Sequence, residues 1–107
     1  MTNEELISVI KKDSKFDMGT LLFSGRVNNL IAKHPYLSDE IAYCLFCHCR
    51  LIWDDTPESM TQKNELMLML GDATYILTRF LTSHGWIFIE TVNIYTPITT
   101  VYMECEI

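Results

Sequence analysis

Apolar positions in the first two thirds of the chain follow the three- and four-residue spacing of amphipathic helices. This spacing predicts four helices separated by short breaks, covering about residues 2–13, 26–34, 38–53 and 57–70. Ser38 is a candidate N-cap of the third helix, and Pro57 is suited to the first turn of the fourth. Asp54 or Asp55 would cap and charge the start of that fourth helix, and Gly71 would end it. The inner face of this helix would carry Leu66, Met67 and Leu70.

The pattern changes near residue 73, where β-branched and aromatic residues become frequent. Residues 73–83, 85–95 and 97–107 predict three strands joined by turns at 83–85 and 95–97, with Gly85 able to adopt a positive φ. The apolar run at 19–24 predicts a fourth strand at an edge. The sequence therefore predicts a single α+β domain over residues 1–107, with N-terminal helices packed on one face of a C-terminal three- to four-stranded antiparallel sheet.

Alternation along the last two strands places Trp86, Phe88 and Tyr102 at positions that can share one sheet face. If no helix covers that face, exposed aromatic side chains would indicate an interface, including one with a second copy of the chain.

Charge is distributed unevenly along the chain, which has 107 residues and a net charge of −6. The first 53 residues are neutral overall, so the whole negative charge lies in the second half. Direct binding to DNA or RNA is disfavoured, because phosphate contacts require cationic side chains. A basic protein partner fits this charge, and so does a simple role in keeping a small protein soluble.

The N-terminal segment lacks the basic and then apolar pattern of a secretory signal, and no apolar stretch reaches the length of a membrane span. These observations predict a cytoplasmic protein with no membrane association, whose four cysteines stay reduced.

Cys44, Cys47 and His48 form a C-x-x-C-H pattern, with Cys49 next to it. Attachment of haem is disfavoured because the pattern lies inside a predicted helix of a chain without an export signal. A structural zinc needs four ligands, and a redox pair needs its first thiol at a helix N-terminus. We therefore interpret the pattern as structural, with Ile41, Leu45, His48 and Ile52 as a buried stripe, and we predict no metal and no cofactor.

Asp54, Asp55 and Glu58 form an acidic cluster of the residue type that binds Mg²⁺, but they lie in a predicted loop and helix start. No nucleotide-binding loop, nucleophile elbow or zinc-protease motif occurs in the sequence. An enzymatic activity is therefore unsupported, and no catalytic residue is assigned.

Several short motifs carry a family resemblance that spans roughly residues 20 to 103. They are Val27-Asn28-Asn29-Leu30, Trp53-Asp54-Asp55, Asn64, Trp86 to Glu90 and Thr99-Thr100-Val101. With these motifs the chain resembles a group of small uncharacterised proteins encoded by plasmids and prophages of gut and other low-GC bacteria. It departs from that group at residues 24–26 and 95–97, where a polar site is altered. The resemblance implies an accessory gene on mobile DNA in a bacterial host cell, and it carries no established activity.

Two hypotheses about function follow. In the first, the chain is a non-enzymatic, anti-CRISPR-like inhibitor that binds a basic host defence or nucleic-acid-processing protein, such as a nuclease complex. Its carboxylates would occupy a cationic groove meant for phosphates, and they are Asp54, Asp55, Glu58, Glu65 and Asp72. In the second, the chain binds a small ligand, or acts on it, in a pocket between helices and sheet around Asn28, Asn29, Trp53 and Trp86. A third hypothesis is that the chain forms a homodimer and binds no other partner.

Overall fold

A computed structural model describes residues 3–12, 14–71 and 75–104. The helices are α1 (Asn3–Lys12), α2 (Gly25–Lys33), α3 (Leu37–Cys49) and α4 (Glu58–Met69). The strands are β1 (Thr20–Phe23), β2 (Tyr75–Thr82), β3 (Gly85–Asn93) and β4 (Pro97–Met103). The chain is α+β, as the change in sequence pattern predicted.

The strands form one sheet in the order β1-β4-β3-β2. β2, β3 and β4 are antiparallel neighbours, as predicted, but β1 pairs with β4 in the parallel direction. The prediction of a wholly antiparallel sheet was therefore wrong, although β1 does lie at an edge. A parallel pair requires a long crossover connection, and here α2, α3, α4 and the β2–β3 hairpin separate the two strands along the chain.

One face of the sheet, the inner face, is buried against the helices. α2 contributes Val27 to the core and α3 contributes Ile41 and Leu45, while α1 packs on α3. The opposite, outer face is made by the alternate residues of all four strands. Its members are Thr20, Leu22, Tyr75, Leu77, Arg79, Leu81, Trp86, Phe88, Glu90, Val92, Ile98, Thr100 and Tyr102.

The ends of α3 differ from the predicted ends. Ser38 is not the N-cap, because α3 begins one residue earlier and the Ser38 hydroxyl donates to the Pro35 carbonyl at 2.8 Å. Leu51 adopts a positive φ of 65°, which lets the Ile52 amide donate to the Cys47 carbonyl at 3.0 Å. This left-handed residue with its six-to-one hydrogen bond ends α3 at Cys49. Ile52 consequently leaves the buried stripe and is exposed.

α4 also differs from the prediction in detail. It starts after Pro57, and no side chain caps it, so neither Asp54 nor Asp55 has the predicted capping role. Its buried polar residue is Asn64, whereas Leu66 and Leu70, which were expected to face inward, are exposed. The end of the helix was predicted well, since Gly71 follows it with a φ of 72°.

The outer edge of β2 is sealed by side chains instead of by another strand. The side-chain amide of Asn64 donates from its nitrogen to the Leu77 carbonyl at 2.7 Å. Its oxygen accepts from the backbone N–H of Leu77 at 3.0 Å. The Thr56 hydroxyl likewise donates to the Arg79 carbonyl and accepts from the Arg79 amide. Together they satisfy backbone groups that an edge strand would otherwise leave open for pairing with another chain.

Two further glycines adopt a positive φ that their positions require. Gly85 has the predicted positive φ, 104°, but it is the first residue of β3, so the turn consists of residues 83 and 84 instead of the predicted 83–85. Gly19 has a φ of 61° just before β1, and a Cβ atom built there would lie 1.9 Å from the Pro97 carbonyl oxygen. The β1–β4 contact therefore depends on the absence of a side chain at Gly19.

We expect Gly19→Ala to destabilise the fold by about 3 kcal/mol. Its left-handed conformation alone costs about 1–2 kcal/mol for a residue with a Cβ, and the clash with backbone adds to this cost. Urea unfolding followed by circular dichroism measures the change in the free energy of unfolding.

Two matched variants separate the causes. Gly71→Ala has the same positive φ with open space around it, so it should lose only about 1 kcal/mol. Gly25→Ala lies in open space without a positive φ, and its stability should stay within about 0.5 kcal/mol of the original. A loss at Gly19 no greater than the loss at Gly71 would contradict the close approach to Pro97.

Candidate functional site

The acidic side chains singled out in the sequence lie on the loop before α4 and on α4 itself. Asp54, Asp55, Glu58 and Glu65 are all exposed, and we call these four residues the acidic surface. Glu58 and Glu65 are seven residues apart and so share one side of the helix. Asp72 lies outside the described residues.

Exposed apolar side chains accompany these carboxylates on α4 and at Leu70, the residue that follows it. Leu66, Met69 and Leu70 are 52%, 84% and 68% exposed, which is unusual for three neighbouring large apolar residues on a short helix. The sequence pattern had assigned Leu66 and Leu70 to the core, so their exposure was not anticipated. The second half of α4 thus presents apolar and anionic groups side by side.

Asp55 also has a structural role. Its carboxylate accepts from the Leu81 amide at 3.5 Å, and its carbonyl accepts from Arg79 Nε at 3.3 Å. These contacts extend the sealed edge of β2 and hold the loop beside the sheet. The acidic surface is therefore anchored at one end to the strand that carries Arg79 and Leu81.

The four residues of the predicted ligand pocket are not gathered in one place. Asn28 and Asn29 are exposed on α2, and Asn28 donates to the Phe23 carbonyl at 3.4 Å. Trp53 is buried on the helix side of the sheet, with its indole N–H donating to the His48 carbonyl at 3.0 Å. Trp86 lies on the outer face, across the sheet from it.

A shallow apolar groove lies between α1 and α3, away from those four residues. Its volume is about 350 Å³, and its lining is Ile10, Asp39, Ala42, Tyr43 and Phe46. Among the described residues that line it, Asp39 and Tyr43 have polar side-chain groups, and both are exposed on α3.

The cysteine-rich helix has its thiols inside the protein. Cys44, Cys47 and Cys49 are free and buried. Burial raises the pKa of Cys44 to about 12, with smaller contributions from Cys47 and nearby carboxylates, and burial also raises the pKa of Cys47 and Cys49. Each of these thiols is therefore protonated at neutral pH, which makes it a weak nucleophile and metal ligand.

His48 is fully buried and joins three strands through a continuous chain of hydrogen bonds. Its Nδ1 lies 2.6 Å from the Thr78 hydroxyl and its Nε2 lies 2.8 Å from the Thr91 hydroxyl. The Thr91 and Thr99 hydroxyls are 2.7 Å apart, and Thr99 donates to the Met18 carbonyl at 2.7 Å. The sequence offered one signal for this chain, since these threonines occupy inward positions of otherwise apolar strands.

The Met18 carbonyl, at the end of this series of hydrogen bonds, determines which group donates in each bond up to His48. The Met18 carbonyl can only accept, so the Thr99 hydroxyl donates to it and must accept from Thr91. Thr91 has then used its proton and accepts from Nε2–H of His48. Burial lowers the pKa of His48 to about 3, so its imidazole is neutral at pH 7 and carries one proton only. With that proton on Nε2, Nδ1 has none and accepts from the Thr78 hydroxyl.

The other two histidines, His34 and His84, lie against each other near the hairpin turn. Nothing in the sequence pattern predicted this contact. His34 and His84 have ring centroids 4.3 Å apart, and the Tyr36 hydroxyl lies 2.7 Å from His84 Nε2. Glu40 accepts from the amide of Ser83 beside it. The hairpin tip is thereby fixed to the start of α3, a contact between residues almost fifty positions apart.

Within the described ranges, no three side chains of His, Cys, Asp or Glu converge in a way that could hold a metal ion. None of the helices described is both long enough and apolar enough to cross a bilayer. No family model, no curated protein and no solved structure matches the chain. The resemblance to mobile-element proteins therefore stays a prediction.

We expect the fold to lose stability in acid through His48. The pKa of this imidazole is 6.5 in the unfolded chain and about 3 in the folded chain, so between these values the unfolded chain binds one more proton. The stability that the neutral His48 contributes is fully present above pH 6.5, its pKa in the unfolded chain. It is lost as the pH falls toward about 3, its pKa in the folded chain. The slope is about 1.4 kcal/mol per pH unit, measured by urea unfolding at several pH values.

His48→Gln provides the control, because glutamine donates and accepts hydrogen bonds but does not titrate. Carboxylates contribute equally to both proteins, so the difference between the two slopes isolates His48. Equal slopes would show that His48 is not the buried neutral group described.

The tautomer can be measured separately. We expect the ¹⁵N chemical shifts of the His48 ring to identify Nε2 as protonated and Nδ1 as bare, with no change down to about pH 5, since burial disfavours the charged form. A protonated Nδ1 at neutral pH would contradict the derived direction of the hydrogen bonds.

Proposed function

We propose that the chain is a non-enzymatic binding protein whose acidic surface occupies a cationic groove of a basic, nucleic-acid-processing host protein. The observation that supports this proposal most is the exposure of all four described carboxylates on one loop and one helix. Lys63 is the only base among residues 54–71. The local field is therefore anionic, which steers a cationic partner toward this side of the molecule.

The apolar part of α4 supplies a second component of binding. Leu66, Met69 and Leu70 lose contact with water when a partner covers them, and burial of apolar area stabilises a complex independently of salt. Carboxylates alone give weak, salt-sensitive contacts. The combination of both on α4 favours a protein partner over a simple cation.

The setting we propose is a plasmid or prophage in a bacterial host cell, where such a protein would act as an anti-CRISPR-like inhibitor. This part of the proposal comes from the resemblance of the five short motifs and from the small, acidic chain. It implies that the partner is a host nuclease complex whose groove normally binds phosphates.

The test uses a panel of purified bacterial nuclease complexes with cationic nucleic-acid grooves, immobilised for interferometry. We expect at least one to bind the chain, to release it on addition of duplex DNA, and to bind more weakly as salt rises. Glu58→Gln/Glu65→Gln should weaken binding by about tenfold, because two steering charges are lost.

Glu5→Gln/Glu104→Gln is the matched control, since it removes the same charge from exposed positions outside the acidic surface. It should leave the affinity within about twofold. Equal losses in the two double variants, or binding that DNA does not displace, would contradict a groove-directed acidic surface.

A further inference from the structure

The outer face of the sheet is an apolar surface that no described helix covers. Each described helix that packs on the sheet contacts the inner face or the β2 edge, through residues such as Val27, His48 and Asn64. Nine of the thirteen outer positions are apolar or aromatic, and only Arg79 and Glu90 are charged. Such a continuous apolar surface is uncommon on a protein that works as a monomer.

Aromatic side chains on this face contact one another and are partly shielded from water. The rings of Phe88 and Tyr102 stack at a centroid distance of 5.7 Å and an angle of 11°. Burial raises the pKa of Tyr75 to about 12, with Glu90 as the next cause. Around these aromatic side chains, Leu81 is 58% exposed and Leu22 is 48% exposed, so the margin offers apolar area to a partner.

Both charged groups of the face have partners within the chain. Glu90 accepts from the Tyr75 hydroxyl at 2.9 Å. The Arg79 guanidinium lies 4.2 Å above the Trp86 ring, and its Nε–H donates to the Asp55 carbonyl. Covering the face therefore leaves neither charge without a hydrogen bond, which lowers the cost of burying it.

We propose that the outer face is the interface of a homodimer, in which a second copy of this chain packs face to face on the sheet. Interfaces that are permanently formed are rich in apolar residues, whereas transient interfaces are about as polar as ordinary surface. A second copy is present as soon as the chain is made. It is therefore the occupant that suits a face with this composition.

The size of the face is compatible with this occupant. Four strands at a spacing of about 4.8 Å and outer positions over about seven residues give a footprint of about 400 Å². The side chains that project from the sheet and the loops at its margins add to the accessible area that is buried. They bring it toward the roughly 800 Å² per partner of a stable complex.

The charges of the face are complementary to themselves under two-fold symmetry. Arg79 pairs in register with Phe88, and Glu90 pairs with Leu77, so the two charges lie on neighbouring strands two residues apart. A two-fold axis that lies in the interface plane and is the perpendicular bisector of the line between them places Arg79 opposite the partner's Glu90. The same axis places Glu90 opposite the partner's Arg79, as an isologous interface requires.

The whole-chain charge gives this dimer a distinctive response to salt. Two copies with a net charge of −6 repel each other at low ionic strength, and salt screens that repulsion while leaving apolar burial intact. The dimer should therefore persist or tighten as salt rises. Binding through the acidic surface should weaken under the same change, so the two proposals are distinguishable.

The experiment is sedimentation velocity of the full chain alone, from micromolar to about 200 μM, at low and high NaCl. We expect a dimer. Leu81→Lys places a charge on the exposed margin of the face and should raise the dissociation constant by at least about tenfold. Leu70→Lys is the matched control on α4, at a similarly exposed leucine, and should leave the dimer unchanged.

Mixing two charge variants tests the two-fold arrangement. Arg79→Glu and Glu90→Arg should each dimerise more weakly alone, because each brings like charges together across the axis. A mixture of the two should form a heterodimer, because both opposed pairs are then attractive. Circular dichroism of each variant establishes that its fold is retained.

A monomer at all concentrations and salts would overturn the proposal. So would a dimer that Leu81→Lys leaves intact, or folded charge variants that fail to associate when mixed. None of these outcomes bears on the acidic surface, because no partner protein is present in the experiment.

Discussion

The hydrogen-bond chain through His48 is the constraint on which the arrangement of helices and strands depends. Its imidazole joins α3 to β2 and β3, and Thr99 extends the connection to β4 and to Met18, just before β1. Each of these polar groups is buried, and one left without its partner would cost about 1–3 kcal/mol. All of these hydrogen bonds form together only when the helix and strands take one relative position. The hydrogen-bond series therefore selects a single packing from the many that apolar contacts alone would permit.

Local patterns in the sequence predicted the element types well because helix and strand periodicities are local properties. They did not predict the parallel direction of β1, because it depends on pairing with β4, which lies far along the chain. They also missed the end of α3, because leucine is not a residue type that indicates the left-handed conformation that Leu51 adopts. Asp54, Asp55, Glu58 and Glu65 are exposed, as charged side chains usually are. The contact of Asp55 with β2 could not be predicted, because nothing in the loop's own sequence indicates which strand edge it meets.

The two surfaces proposed for binding differ in kind and lie on either side of the sealed β2 edge. On one side, α4 and its preceding loop combine carboxylates with Leu66, Met69 and Leu70. On the other side, the outer face carries one positive and one negative side chain, Arg79 and Glu90, among apolar residues. Asp55 contacts Arg79 and Leu81, so it is the point at which the two surfaces meet. A two-fold dimer through the outer face would leave both copies of α4 at its periphery and would make the molecule bivalent.

The seal on β2 has a consequence for how the protein would aggregate. Asn64 belongs to α4, which contacts the sheet mainly at β2 and packs Met67 and Leu68 against the core. Local opening of α4 would therefore lose those two contacts while β2, β3 and β4 stay paired with one another. Such a local opening would uncover the amide and carbonyl groups of Leu77 on an apolar edge strand, which is a template for intermolecular β-pairing. The tendency to form fibrils would then follow the opening free energy of one helix instead of the free energy of unfolding of the whole domain.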